Sequence, residues 1–317
     1  MSVRSRRQHG YLAFALALML ALASAAPQVA LAATPPQPDD CAPILPKRQI
    51  EAGMIGRGWT VARGSRPAPF HVRVLGVQRN GIAPGHDLIV VKISDIKGSS
   101  MIANAGGIWA GMSGSPVYVE GKLIGAVAYR FAAGGAIGGL TTASDMMKVL
   151  EYRAEQTSAS DPQANRLTLS GAISQIVAEE SGVAESQAGE LARLALPVSV
   201  SGLSPSGIGL LQERLAALGT PVVLTSGSRA PVPSGSSSFV RPVPGGNFAG
   251  IISYGDVTAG GIGTTTYVCG KRALAFGHPL TWAGPSTLGA NHAQALHVVA
   301  DPVFGPCLLY TSPSPRD

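Results

Sequence analysis

Gly111-Met112-Ser113-Gly114-Ser115-Pro116 runs straight into Val117-Tyr118-Val119, Glu120-Gly121 and Lys122-Leu123-Ile124-Gly125-Ala126-Val127-Ala128-Tyr129. The second half is two strand-like runs around a two-residue turn, which reads as a β-hairpin. The first half is a serine turn with glycine on both sides. Glycine lets the backbone bend tightly and lets another carbonyl approach. Because a strand follows the serine, the segment is not the strand–elbow–helix of an α/β-hydrolase.

Working outward, the preceding residues are also strand and turn. Trp59 to Arg63 and Phe70 to Val77 alternate. Asn80-Gly81 is a turn signal, and Leu88 to Ile93 is an apolar run suited to a buried strand. Thr142-Ala143-Ser144-Asp145 matches a capping box ahead of a helix carrying Met146, Met147, Leu150 and Tyr152. Further helices are expected at Gly171–Ala184 and Ser206–Leu218. In the second, Ile208, Leu211, Leu215 and Leu218 fall on one face and Gly219 suits the C-cap. Ser226–Gly246 is a Ser/Pro/Gly-rich loop or linker. Strands return at Phe248–Tyr254, Gly263–Val268 and Arg272–Phe276. Many short strands with glycine-rich turns suggest a barrel or sandwich.

The ends read differently from the body. Arg4, Arg6 and Arg7 precede an apolar run from Tyr11 to Ala26, and Ala30-Leu31-Ala32 supplies small residues for cleavage. This is the pattern of an export signal over residues 1–32, followed by a flexible lead over 33–52. An uncleaved membrane anchor is the alternative, although the run is shorter than a spanning helix needs. Export implies a periplasmic or extracellular location and no stable membrane span after cleavage. Residues 307–317 show no strand pattern. They are what a nucleotide string resembling a transposon-type sequencing adapter would encode, so the tail is expected to be adapter-derived and the part before it incomplete.

Composition excludes several classes. The chain has 317 residues, of which 13% are charged and 5% aromatic. That is too little charge for a coiled coil or a charged disordered chain. Gly and Pro are abundant, at 40 and 24 residues, but show no three-residue period, which rules out collagen. Without the two ends, 20 Lys+Arg stand against 17 Asp+Glu. This is too weak and scattered for a nucleic-acid surface. No Cys/His cluster suggests a metal, and no cofactor is expected. Cys41 and Cys269 are available to pair in an exported chain, although spacing alone does not show that they meet. Cys41 has Pro38 three residues upstream, which does not suit a lipoprotein.

The serine turn is the sharpest chemical feature. A serine becomes a useful nucleophile only beside a base and with N–H groups aimed at the developing oxyanion. The N–H groups of Gly111 and Ser113 are the natural donors. A plain Gly/Ser turn is the structural alternative. Among the histidines, His9 lies in the signal and His71 on an alternating strand, where a solvent-facing role is expected. His86 adjoins Asp87, but strand neighbours point to opposite faces. His292 and His297 lie in a region without a clear pattern. His278, in Ala275-Phe276-Gly277-His278-Pro279, sits at a strand end between glycine and proline, well placed to present an imidazole. Asp95, at the end of the Leu88–Ser94 strand, is a candidate to orient it, the alternative being a turn or cap aspartate.

These residues carry a resemblance. Gly106-Gly107-Ile108 through Pro116 and Gly121 through Val127 resemble the nucleophile region of the SpoIVB (stage IV sporulation protein B) serine peptidase family. Gly261-Ile262-Gly263-Thr264-Thr265-Thr266-Tyr267 through His278 is similar to its histidine region, and Val91–Asp95 to its acidic segment. The resemblance implies a mainly β, chymotrypsin-like double β-barrel. It implies Ser113 as nucleophile, His278 as general base, Asp95 as third member, and a protein or peptide substrate. The serine block precedes the histidine block, the reverse of the sporulation proteins, and no PDZ-like segment is evident. A triad is defined by geometry and not by chain order. The expected layout is a serine-bearing β part at 53–155, a helical insert and linker at 156–246, and a histidine-bearing β part at 247–306. Three functional readings follow: an exported serine endopeptidase, a catalytically inactive β-barrel scaffold for peptides or envelope proteins, and a self-cleaving protease with Ser226–Gly246 as its exposed site.

Overall fold

A computed structural model of the chain describes residues 41–151, 165–219, 221–227, 241–280, 286–300 and 305–311. The expected signal at 1–32, Tyr152, most of the Ser226–Gly246 linker and the last six residues of the tail lie outside the described residues.

Six strands close a barrel. They are β1 (Ile55–Thr60), β2 (Ala68–Ala83), β3 (His86–Ser94), β4 (Pro116–Val119), β5 (Lys122–Phe131) and β6 (Ile137–Thr142). Their order is β4-β1-β2-β3-β6-β5, and β5 pairs again with β4, so no edge is left between the first and last strand. All these pairings are antiparallel. Phe70, Ile89, Val91, Ile93, Ile124, Val127 and Leu140 pack into one core with Trp109 and Met112. Each such side chain contributes about 1.5–3 kcal/mol by leaving water. The β4–β5 hairpin turns at Glu120-Gly121, where both φ angles are positive (50° and 76°), as the expected two-residue turn requires. Asn80-Gly81 is not the β2–β3 turn. Strand β2 runs through it, and the reversal falls at Pro84-Gly85, with Ala83 paired to His86. The Asn80 side chain instead accepts from Gly85 N–H at 2.7 Å and closes that turn from below.

Two short helices flank the barrel: α1 (Met101–Ala105) and α2 (Ala143–Met147). Thr142 caps α2, accepting from Asp145 N–H at 3.2 Å and bonding the Asp145 carboxylate at 2.8 Å. Asp145 is buried and meets Lys47 (3.2 Å) and Lys148 (2.7 Å). Burial would raise its carboxyl, but these donors and Asp87 N–H hold it down at about 2.

The segment expected to be a helical insert is mixed. It carries α3 (Gly171–Ser181) and α4 (Pro205–Ala217), and also β7 (Arg166–Thr168), β8 (Glu190–Arg193), β9 (Leu196–Ser201) and β10 (Val222–Ser226). Strand β8 extends the first sheet from β5, and β7 pairs with β8. Strands β9 and β10 run parallel and are joined by α4, a crossover unit. The apolar stripe expected on this helix is present but no residue of it is buried, and Leu218 is 77% exposed. The helix is held to its sheet by Gln212, whose amide bonds Val222 O and Leu224 N–H of β10.

The second sheet has the order β10-β9-β12-β11-β14. It contains β11 (Asn247–Ser253), β12 (Thr258–Cys269) and β14 (Gly289–Asn291), and β13 (Arg272–Ala275) pairs with β12. A last hairpin joins β15 (Gln294–Val299) to β16 (Cys307–Thr311). A strand at Cys307–Thr311 was not expected from the sequence. Its basis is the alternation of Leu308 and Tyr310, both buried. The chain is thus mainly β, with a closed six-stranded barrel and further sheets, consistent with a chymotrypsin-like double barrel. Cys41 and Cys269 form a disulfide that ties the N-terminal lead to the end of β12.

Candidate active site

The serine turn lies between α1 and β4 and is held from the second sheet. Ser113 O accepts from Thr264 N–H at 2.7 Å. Gly111 O accepts from Thr264 Oγ1 at 3.0 Å, and Gly114 O from Thr266 Oγ1 at 2.7 Å. Three carbonyls of one turn are therefore tied to one strand, β12. Gly114 passes so close to it that a Cβ there would lie 2.0 Å from Thr264 O and 2.5 Å from Phe276 N. Its φ of +94° also belongs to glycine.

With the carbonyls drawn toward β12, the N–H groups divide into two sets. Met112 N–H donates to Trp109 O at 3.1 Å, Gly114 N–H to Val127 O at 2.8 Å, and Ser115 N–H to Met112 O at 2.8 Å. Among the described residues, neither Gly111 N–H nor Ser113 N–H has an acceptor. Both residues are buried. Buried donors without partners are uncommon, and backbone N–H groups left free in this way are available to a developing oxyanion.

His278 reaches the same turn from β13. Phe276 and Gly277 both adopt left-handed φ (68° and 65°), which swings the chain after β13 back over the barrel. Thr141 of β6 bonds Gly277 O at 2.6 Å and fixes this turn. Phe276 is anchored edge-on against Phe248, with ring centroids 5.8 Å apart. The His278 imidazole then lies with Nε2 3.0 Å from Ser113 Oγ and Nδ1 2.9 Å from Pro279 O. A carbonyl only accepts, so Nδ1 carries the proton and Nε2 offers its lone pair to the serine hydroxyl. Burial, with the Arg193 guanidinium nearby, pushes the imidazole down to about 4, against a smaller upward pull from the Pro279 carbonyl.

Asp95 is not part of this contact. Its carboxylate accepts from Ile102 N–H (2.8 Å), Ala103 N–H (2.9 Å) and the Ser99 hydroxyl (3.1 Å). Burial works to raise its pKa, but these donors outweigh it and hold the carboxyl below its ordinary value. The expected third member is thus a cap of α1, and the acceptor on Nδ1 is the Pro279 carbonyl. His71, His292 and His297 are exposed.

Sequence reasoning missed Thr264 and Thr266 as supports of the turn. Their signal was three consecutive threonines, Thr264-Thr265-Thr266, inside a strand flanked by apolar residues, all fully buried. It also missed Arg193, a charge in the apolar run Leu191-Ala192-Arg193-Leu194. No local signal pointed to the Pro279 carbonyl. Among the described residues, no group of three or more His, Cys, Asp or Glu is placed to hold a metal ion.

Residues 31–147 match the family model described as SpoIVB peptidase S55. That span includes Ser113 and Asp95 and stops short of His278. No curated protein and no solved structure matches the chain.

Proposed function

With residues 31–147 assigned to the SpoIVB peptidase S55 family, we propose that this protein is an exported serine endopeptidase whose nucleophile is Ser113 and whose base is His278. The observation that carries the reading is the 3.0 Å contact between Ser113 Oγ and His278 Nε2, made by residues 165 apart in sequence. It has the length and atom pairing of a nucleophile–base hydrogen bond.

The chemistry follows from the groups present. His278 Nε2 takes the hydroxyl proton as Ser113 Oγ bonds to the carbonyl carbon of the scissile peptide. The carbonyl oxygen becomes an oxyanion and accepts from Gly111 N–H and Ser113 N–H. The C–N bond then breaks, and the imidazolium returns the proton to the leaving amine. A water gives a proton to Nε2 and attacks the ester carbonyl. Oγ leaves and recovers its proton, which restores the serine. Among the described residues, the imidazolium formed midway faces no carboxylate on Nδ1. The Pro279 carbonyl is the group that stabilises it there.

Two features support export. Residues 1–32 carry the basic, apolar and small-residue order of a signal, and a disulfide such as Cys41–Cys269 persists in oxidising compartments. Among the described residues, no helix is long and apolar enough to cross a membrane. A second reading, the peptide-binding scaffold, draws on the complete burial of Ser113 in this conformation.

Fluorophosphonate labelling separates them. Labelling abolished by Ser113→Ala and by His278→Ala is the expected result. No labelling of a folded protein overturns the peptidase and leaves the scaffold.

A further inference from the structure

Arg193 is a charged side chain in an apolar setting. It is the last residue of β8, only 7% exposed, and pairs in register with Tyr129 of β5. Its Nη1 points at Pro279 O at 3.4 Å. That carbonyl is the one His278 Nδ1 bonds at 2.9 Å. A cation and an imidazole N–H therefore converge on a single oxygen. Burying an arginine costs free energy unless it is well bonded, so its place beside this carbonyl calls for a role.

Resting on the peptidase reading, we propose that Arg193 is a positioning residue for His278: it fixes the Pro279 carbonyl that sets the imidazole tautomer and orientation. In a triad that task falls to a carboxylate. Here Asp95 is committed to α1, and the carbonyl and guanidinium together take its place. A neutral carbonyl is a weaker anchor than a carboxylate because it can swing with its peptide plane. Arg193 limits that swing by donating to the same oxygen. The guanidinium also places a positive charge near the ring, which disfavours the imidazolium and keeps Nε2 unprotonated before substrate binds. Among the described residues, the ring meets Ser113 on the nucleophile turn and the charge of Arg193 on β8, and Arg193 in turn interacts with the Tyr129 phenol on β5, which burial keeps protonated.

The two effects separate by substitution, because Arg193→Met removes both the charge and the donors, whereas Arg193→Lys keeps the charge on a flexible stem. The test is the fluorophosphonate labelling rate against pH for wild type, Ser113→Ala, Arg193→Met and Arg193→Lys, each checked for a cooperative thermal transition. For Arg193→Met the acid limb is expected to move up by about one pH unit, and the plateau to fall about 10-fold as the imidazole loses its orientation. Arg193→Lys is expected to hold the wild-type limb with a lowered plateau. If Arg193→Met does not fold, Arg193→Lys decides. A wild-type limb with a reduced plateau supports the role, and a wild-type rate at every pH overturns it. A folded Arg193→Met that matches wild type in both limb and plateau also overturns it. Wild type that labels no better than Ser113→Ala overturns the peptidase reading itself, and the role of Arg193 falls with it.

Discussion

Thr264 Oγ1 donates to the carbonyl of Gly111 at 3.0 Å across 153 residues of sequence. The bond joins the histidine-bearing sheet to the serine turn, and its neighbours do the same. Thr264 N–H bonds Ser113 O, and Thr266 Oγ1 bonds Gly114 O. The serine turn is therefore shaped by the strand that leads, through β13, to His278. Ser113 and His278 share one support, so their relative position does not rely on the long chain that separates them, 165 positions in sequence.

Thr264→Val keeps the shape of the side chain and removes the hydroxyl. Gly111 O then loses its donor in a buried place, at a cost of about 1–3 kcal/mol. The Gly111–Met112 peptide, which lies between the Gly111 and Ser113 N–H groups, then keeps only its Met112 N–H bond to Trp109 O. The labelling rate is expected to fall about 10-fold, with the fold retained by thermal melting. A wild-type rate in folded Thr264→Val would show that the turn does not depend on this bond.

The pH profile carries a second prediction. His278 is pushed down to about 4 from the ordinary 6.5. The neutral form that accepts the serine proton is therefore present above about pH 4 and lost below it. kcat/KM on a peptide substrate, which reports the free enzyme, is expected to rise through a limb near pH 4 and to be flat by neutral pH. Stability has the same sign. Because the folded value lies below the unfolded one, His278 binds its proton more readily in the unfolded chain. Its contribution is unchanged above about pH 6.5 and turns against folding as pH falls toward 4. A limb near 6.5 would mean that the imidazole is solvated and free of Arg193.

Much of this was legible from residues alone. The hairpin over Pro116–Tyr129, the buried strand at Leu88–Ile93 and the capped helix at Ala143 follow from turn residues, apolar runs and a capping box, which are local signals. The pairing of Ser113 with His278 was inferred from two strand-end motifs and a family resemblance. What did not follow is partly local and partly long-range. Asp95 sat at a strand end, as an orienting carboxylate does, but three donors only four to eight residues ahead captured it first. The stripe on α4 predicted burial, but periodicity does not say whether a partner surface exists, and none of its residues is buried. The roles of Arg193 and of the threonines depend on which strands become neighbours, and no local pattern encodes that.

Gly114→Ala tests the join between the two sheets. A Cβ at this position would lie 2.0 Å from Thr264 O and 2.5 Å from Phe276 N, both backbone atoms with no free rotation. The φ of +94° adds strain for any L side chain. The turn and β12 must therefore separate, which opens the Thr264 and Thr266 bonds together. The expected loss is about 3 kcal/mol or more, read as a lower denaturation midpoint, together with loss of labelling. Gly121→Ala is the control, since its Cβ would meet nothing within 4 Å and only the left-handed φ of 76° is strained. It is expected to cost about 1 kcal/mol and to keep labelling. Equal effects from the two would mean that backbone strain, and not the close approach to β12, governs both.

The Cys41–Cys269 disulfide gives the last prediction. It closes a loop spanning 228 residues, and a long loop is where a cross-link restricts the unfolded chain most. Cys269 is also the final residue of β12, three positions beyond Thr266. Loss of the bridge therefore frees the lead and frays the strand that supports the serine turn. Cys41→Ser with Cys269→Ser is expected to lower stability by about 2–5 kcal/mol, measured by denaturant unfolding. Wild-type protein treated with reductant is expected to match the double variant, and the double variant to be insensitive to reductant. Labelling of the reduced form is expected to fall in parallel with melting of β12, whose amides are read by hydrogen exchange. Reduction that lowers stability but leaves β12 protected and labelling intact would confine the role of the bridge to the N-terminal lead.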